Sequence, residues 1–426
     1  MSRGFLKVDG QYALYYILRV VSVVSILDYT FHEGSVVKRR FLIVSLVFFS
    51  GWLIDGKNYA VVRDGEFVGA RHGMLLQKKA FEGDNVVLLT GAAGFIGSNF
   101  LQYMFDKYDG YYFIVLDALT YAGNIDNIPR YIRDSDRFSF FYGSVTNYQI
   151  VDMLMQHADF VVHFAAESHV TRSICDDTTF FDTDVMGTRV MMTALVKYAK
   201  KVKRFIHIST SEVLGTAETD PMDENHPINP RSPYAAAKAG ADRLVYSYCC
   251  TYDVPAVIIR PFNNYGPKQH LEKVIARFIT SAIQKRPLTV HGDGLQERDW
   301  VHTYDVSRAL DHILHAGDFS KIKHQVIHIG SGVPTSILDI ARAVCKRFNL
   351  SEEYIKFIGD RPGQVRRHIS STKKSQDLLG WKAEISLDDG LNRTIEWYEK
   401  NKSHWERMSS MMLVPIYTNN ETLDLH

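Results

Sequence analysis

Cysteine is scarce: the chain has four in 426 residues, Cys249 and Cys250 adjacent, Cys175 and Cys345 isolated. With no CxxC pair and no Cys/His metal spacing, a disulfide framework and a structural metal site are excluded. The thiols are expected to be reduced and buried, in a cytoplasmic protein. Net charge is almost absent as well, at +1. A protein that coats nucleic acid needs a basic excess, and no stripe of aromatics interleaved with Lys and Arg makes up for it, so no nucleic-acid partner is expected. Long apolar runs are also missing. "YALYYILRVVSVVSI" is broken by Arg19, and "FLIVSLVFFSGWLI" ends after about 14 residues, short of the ~20 that span a bilayer. Neither has the charged start and small-residue cleavage site of a signal peptide, which argues against membrane association. No repeat or low-complexity tract occurs. What remains is 46% hydrophobic and 23% charged, an ordinary globular composition long enough for two or three domains.

The composition changes near residue 84. Before it, runs of Val, Ile, Phe and Tyr are interrupted by "IDGKN" and "RDGEF"; Asp-Gly between β-formers is a hairpin signal. Residues 1–84 therefore read as a mildly basic, β-rich N-terminal extension of unknown role. From residue 85, short apolar strands ("NVVLLTG", "YYFIVLD", "FSFFYG", "DFVVHFAA", "RFIHIST", "PAVIIRP") alternate with amphipathic helices such as "GSNFLQYMFDKY". This alternation predicts an α/β fold with a Rossmann-type doubly wound parallel sheet over 85–262. Residues 263–400, richer in Pro and Gly loops, predict a smaller C-terminal substrate-binding domain, with "VIHIGSG" near 326–332 returning a strand to the main sheet. Residues 401–426 read as a helix end and tail.

"VVLLTGAAGFIGSN" places Gly91, Gly94 and Gly97 between a buried strand and a helix. The first glycine permits a tight turn, the second lets backbone amides approach a pyrophosphate, and the third allows close helix–strand packing. Asp117 ends the next strand, where a carboxylate accepts the adenosine ribose hydroxyls and repels a 2′-phosphate; NAD rather than NADP is expected. "SPYAAAKAG" puts Tyr234 and Lys238 four apart on one helix face. A tyrosine is a poor base at its ordinary pKa of about 10, and a neighbouring ammonium favours the phenolate. Such a hydride-transfer centre needs the Thr210 of "STSEVLG" but has no use for the adjacent carboxylate, Glu212.

From about Val86 to Lys400 the chain resembles the extended short-chain dehydrogenase/reductase family, and within it the nucleotide-sugar 4,6-dehydratases, the dTDP-glucose branch above all. The resemblance rests on "TGAAGFIGSN", "LDALTYAGNIDNI", "HFAAESHVTRSI", "STSEV", "SPYAAAKAGAD", "NNYGP", "EKVI", "RDWVHTYDVSRAL" and "DRPGQVRRH", in family order. It implies C-4 oxidation by Tyr234, Thr210 and Lys238, removal of the C-5 proton by Glu212, loss of the C-6 hydroxyl, and hydride return to C-6. The product is a 4-keto-6-deoxy sugar. The resemblance also implies cofactor contacts from Phe95, Ile96 and Ala165. Substrate contacts fall to Glu167, Ser168, Asn263, Lys273, Arg298 and Arg361, the last three for the diphosphate. No metal is implied, and a homodimer is.

Four departures stand out. Ser211 replaces the Asp that serves the glucose branch as acid for the leaving hydroxyl; a serine hydroxyl cannot be the same acid. Either Glu212 acts as base and then acid, or Ser211 relays a proton from water. Leu214 replaces a frequent Tyr, Thr171 an Asp, and Gln364-Val365 a His-Asp pair. The Ser-Glu pairing looks more like GDP-mannose and UDP-N-acetylglucosamine 4,6-dehydratases, and is also similar to UDP-glucuronate decarboxylases, but the decarboxylases need an extra cation near "YxxxK" that "SPYAAAK" lacks. A 4-epimerase needs no Glu212, and a non-catalytic binding protein would not need Thr210, Tyr234, Lys238 and the glycine loop together. His291 and the other histidines have no ligand spacing and are expected to be structural or exposed.

Overall fold

The computed structural model describes residues 59–63, 66–68, 85–360, 364–411, 414–417 and 423–425. Both N-terminal apolar runs lie outside the described residues. Among those described, no helix is long and apolar enough to cross a membrane.

Strands β1 (Tyr59–Arg63), β2 (Glu66–Val68), β3 (Asn85–Thr90), β4 (Tyr111–Asp117), β5 (Phe138–Tyr142), β6 (Phe160–His163), β7 (Arg204–Ile208) and β8 (Ala256–Pro261) belong to one sheet. Outside it come β9 (Asn263–Tyr265), β10 (Leu288–His291) and β11 (Glu297–His302), before β12 (Val326–Ile329) returns. The order across the sheet is β12-β8-β7-β6-β3-β4-β5-β1-β2. Every pairing is parallel except β1 with β2, which meet antiparallel with Arg63 opposite Glu66, as the Asp-Gly signal at 64–65 predicts. The doubly wound sheet expected from the strand–helix alternation is present.

Helices α1 (Phe95–Lys107), α2 (Tyr148–Met155), α3 (Thr188–Tyr198), α4 (Pro233–Tyr252), α5 (Val274–Ile283) and α6 (Thr303–Leu314) follow in chain order. The continuous apolar strands are explained by burial on both faces. Val87 and Leu89 of β3 point into a core with Phe100 and Met104 of α1 and Leu310 of α6. Val86 and Leu88 point the other way, onto Val151 of α2, Met191 of α3 and Val245 of α4. The chain runs outward from β3 in both directions, so the switch point lies between β3 and β6, where ligands of such sheets bind.

After Pro261 the chain leaves the sheet. Phe262 N–H still donates to Ile329 O at 2.9 Å, and then β9 pairs in parallel with β11. Strand β11 is shared: it pairs with β13 (Pro334–Ser336) and with β15 (Arg367–His368), while β10 pairs with β14 (Ile355–Ile358). A third core, built on Phe278, Trp300, Val344 and Tyr398, supports this lobe. The C-terminal segment, expected as a helix end and tail, also carries an antiparallel pair, Pro415–Tyr417 with Leu423–Leu425. Cys249 and Cys345 are buried as expected, but Cys175 and Cys250 are exposed.

One buried ion pair fastens α4 to the strands beside it. Asp242 of α4 accepts from Ser209 Oγ at 2.7 Å, just beyond β7, and from Arg260 Nε and Nη2 of β8 at 2.9 and 3.1 Å. Burial alone would raise its pKa, yet the Arg260 and Arg243 guanidinium groups and the Ser209 hydroxyl hold the carboxyl far below its ordinary range. Removing one partner strands a charge in the core. Asp242→Ala is therefore expected to cost about 3–5 kcal/mol in urea unfolding, and the apolar pair Asp242→Leu with Arg260→Met to recover most of it.

Candidate active site

At the end of β3, Gly91 adopts φ +70°, and a Cβ there would stand 2.6 Å from both Cα and N of Ala165. Only glycine lets the turn pass this close to the end of β6. A Cβ on Gly97 would meet Ala92 Cα at 2.7 Å, so α1 lies directly on the loop. Gly94 caps α1 without a side-chain hydrogen bond, and the first turn holds no acidic residue. Its N–H groups are thus arranged for an anion. Asp117 accepts from Ala93 N–H and Leu119 N–H, both at 2.8 Å, one on each oxygen. Burial raises its pKa while these two bonds oppose the rise. A carboxylate offers about four acceptor positions, so two remain for ribose hydroxyls. The donor set fits a dinucleotide. Gly91, Gly94, Phe95, Ile96, Gly97, Asp117 and Ala165 all line one cavity of about 440 Å³.

The same cavity is lined by Thr210, Glu212 and Tyr234. Thr210 ends the extended run after β7, and its Oγ1 accepts Glu212 N–H at 3.2 Å, capping the short 3-10 turn Ser211–Leu214. Ser232 caps α4 by accepting Ala235 N–H at 3.1 Å, and Pro233 starts the helix; this sets Tyr234 against Thr210, which hydrogen-bonds the phenol. Two residues expected here lie beneath the surface instead. Lys238 is buried, its Nζ donating to Ile208 O at 2.7 Å. Ser211 is buried between two lining neighbours and is not part of the cavity wall.

Tyr234 differs from the electrostatic expectation. Burial, then the negative charge of Asp184, pushes the phenol above its ordinary 10, with Thr210 opposing and Glu212 adding to the rise. Lys238 is itself shifted down by burial, against the pull of Asp184 and Asp242. Asp184 is a residue that sequence reasoning missed. It sits in a π-helical turn, Phe181–Gly187, and its Oδ1 accepts Glu167 N–H at 2.8 Å. Burial raises its pKa to about 7, against the opposing Lys238 ammonium. No periodicity in "FDTDVMG" announces a turn of that kind. Glu167 lines the cavity, and burial brings it too to about 7, with Thr120 and Arg172 opposing.

The far end of the cavity is formed by the second lobe. Ser168, Asn263, Lys273 and Arg298 all line it, and Lys273 Nζ donates to Ser168 O. Arg361 lies outside the described residues. Arg277, Glu272 and Gln296 join the lining without having been picked out from the sequence. His291, expected to be structural or exposed, is also in the lining, at the end of β10. Its position at a strand end was the available signal. Of the family departures, Thr171 and Gln364 face the cavity, whereas Leu214 and Val365 are buried away from it. Among the described residues no cluster of His, Cys, Asp and Glu could hold a metal ion.

A profile of the family described as GDP-mannose 4,6 dehydratase matches residues 88–394. The low-salt glycan biosynthesis protein Agl12 of Haloferax volcanii is 42% identical over 312 residues, 73% of this chain and 98% of its own. The dTDP-glucose 4,6-dehydratase of Streptomyces niveus is 37% identical over 328 residues, 76% of this chain and 96% of its own. Among solved structures, the dTDP-glucose 4,6-dehydratase DesIV of Streptomyces venezuelae, crystallised with NAD, is similar with a TM-score of 0.72 at 35% identity. The match covers 76% of this chain and 100% of that one.

Glu167 gives a pH test of the site. Its folded pKa of about 7 stands above the ordinary 4.5, so the folded state keeps a proton that the unfolded chain releases. The associated stability is complete below about 4.5 and is lost as pH rises through about 7. Asp184, also raised to about 7, loses stability over the same window, so Glu167→Gln is expected to shrink the loss seen by urea unfolding between pH 5 and pH 8 by on the order of 2 kcal/mol and to leave the Asp184 share in place.

Proposed function

The chain belongs to the GDP-mannose 4,6-dehydratase family, within the extended short-chain dehydrogenases/reductases, and from that premise we propose that it dehydrates a nucleotide diphosphate hexose to the 4-keto-6-deoxy sugar. The observation that carries this reading is a shared wall: Thr210, Tyr234 and Glu212 line one cavity with the glycine loop. An epimerase has no use for a carboxylate there. The preferred substrate is dTDP-glucose, with a UDP-hexose as the alternative, because several relatives are named as dTDP-glucose 4,6-dehydratases.

The cofactor is NAD, which supplies the hydride acceptor and donor and a positive charge near the phenol. Gly91, Gly94 and Gly97 with the start of α1 hold its pyrophosphate, and Asp117 its ribose. Tyr234 takes the proton of the sugar 4-hydroxyl, Thr210 orients it, and Lys238 acts from beneath through the strand end it grips. The 4-ketone makes the C-5 proton acidic. Glu212 removes that proton, and the carboxyl so formed protonates the C-6 oxygen, which leaves as water; the hydride taken from C-4 returns to C-6, and C-5 regains a proton that has exchanged with solvent. The position of Ser211 behind the wall supports this double role for Glu212 over a serine relay. Lys273, Arg298 and Arg277 supply cations for the diphosphate, the arginines by paired hydrogen bonds.

Purified protein given dTDP-glucose or a UDP-hexose is expected to yield a product lighter by the mass of one water; loss of carbon dioxide from UDP-glucuronate instead would refute the dehydratase reading. In deuterated water, Glu212→Gln is expected to lower turnover by about 10²–10⁴-fold and to abolish solvent exchange at C-5. Retained exchange would remove Glu212 from the role of base.

A further inference from the structure

Ser211 and Glu212 are adjacent, yet only Glu212 faces the cavity. Ser211 Oγ lies 3.4 Å from Nδ1 of His368, far away in the chain. His368 ends β15, and its place is fixed from two sides. It stands opposite Arg298 of β11 in a parallel pairing. Two residues later, the N–H and hydroxyl of Ser370 both donate to the buried carboxylate of Asp299. The His368 ring is fully buried against Phe262, centroids 5.3 Å apart, and Phe262 is itself part of the cavity wall. Among the described residues its Nε2 has no hydrogen-bond partner. A phenyl ring would fill the space without that cost, so packing alone does not account for an imidazole here.

On the reading above, in which Glu212 carries both proton transfers, we propose that His368 is a positioning residue that acts through Ser211 to hold the turn presenting Glu212 to the sugar. The turn Ser211–Leu214 is anchored at its far end by the buried Val213 and Leu214, which leaves the Ser211–Glu212 end to be set by other contacts. Thr210 holds it at the Glu212 N–H, on the cavity side; the Ser211–His368 contact holds it from behind. A carboxyl that must reach both C-5 and the C-6 oxygen tolerates little misplacement, and an error of about 1 Å can cost 10²-fold in rate. With its proton on Nε2, the imidazole accepts the Ser211 hydroxyl at Nδ1. Burial holds the ring's pKa down at about 4, with Glu212 and Asp299 pulling it up and Arg298 and His226 pushing it down; His328 also lies close enough to interact. The ring is thus neutral at working pH, and the contact does not titrate between pH 5 and 9.

The test uses dTDP-glucose with the full chain, measuring kcat, KM, C-5 exchange from deuterated water, and thermal unfolding. His368→Phe and Ser211→Ala are each expected to lower kcat about 10- to 100-fold, with KM within about twofold and C-5 exchange falling in parallel. Acting on one contact, the two changes together are expected to be no worse than the more damaging single change. His368→Asn, whose amide oxygen falls near the position of Nδ1, is expected to restore kcat to within about threefold of the wild type. Losses that multiply in the double variant, wild-type kcat in Ser211→Ala, or an Asn variant no better than the Phe variant would each overturn the proposal. Should His368→Phe fail to fold, Ser211→Ala and His368→Asn still decide it. A wild-type protein that removes no water from any nucleotide sugar overturns the functional reading itself, a separate outcome.

Discussion

The site depends on one buried carboxylate. Asp242 ties α4, which carries Tyr234 and Lys238, to the end of β7, which carries Thr210 and Glu212, and to Arg260 of β8. Lys238 adds a second tie by donating to Ile208 O. Tyr234, Thr210 and the turn that carries Glu212 are therefore tied to one core through α4 and the end of β7. That matters for a reaction whose second half must act on what the first half has just made, before it can diffuse away.

Charge is distributed unevenly beneath this body. Asp184 and Glu167 are both brought close to neutral pH by burial, and Asp184 acts on Lys238 and Tyr234 together. Burial and the Asp184 charge together raise the phenol's pKa, with Thr210 opposing.

The parts of this arrangement that were legible in the sequence are those made by local rules. The buried strands announce themselves by apolar runs, the glycine loop by spacing, and the Tyr–Lys pair by helical periodicity. What could not be read there depends on distant partners. Asp184 faces inward because of a π-helical turn; Ser211 faces His368 because β15 docks on β11; His291 reaches the cavity because β10 ends beside it. The expected lowering of the Tyr234 pKa by Lys238 failed for a similar reason: neighbours four apart in a helix say nothing about how deeply both are buried, and burial was the larger effect.

Strand β1 pairs in parallel with β5, and β2 closes against β1. Without them β5 would be the outermost strand of the sheet, five residues long and buried or half-buried throughout. Such a margin, flat and apolar with free N–H and C=O groups, is a template for unwanted pairing between copies. The short pair drawn from ahead of the dehydratase-like region moves the boundary of the sheet to the three residues Glu66–Val68, the first of them charged. The outer margin of the sheet among the described residues is thereby three residues long rather than five, which leaves less backbone free to pair.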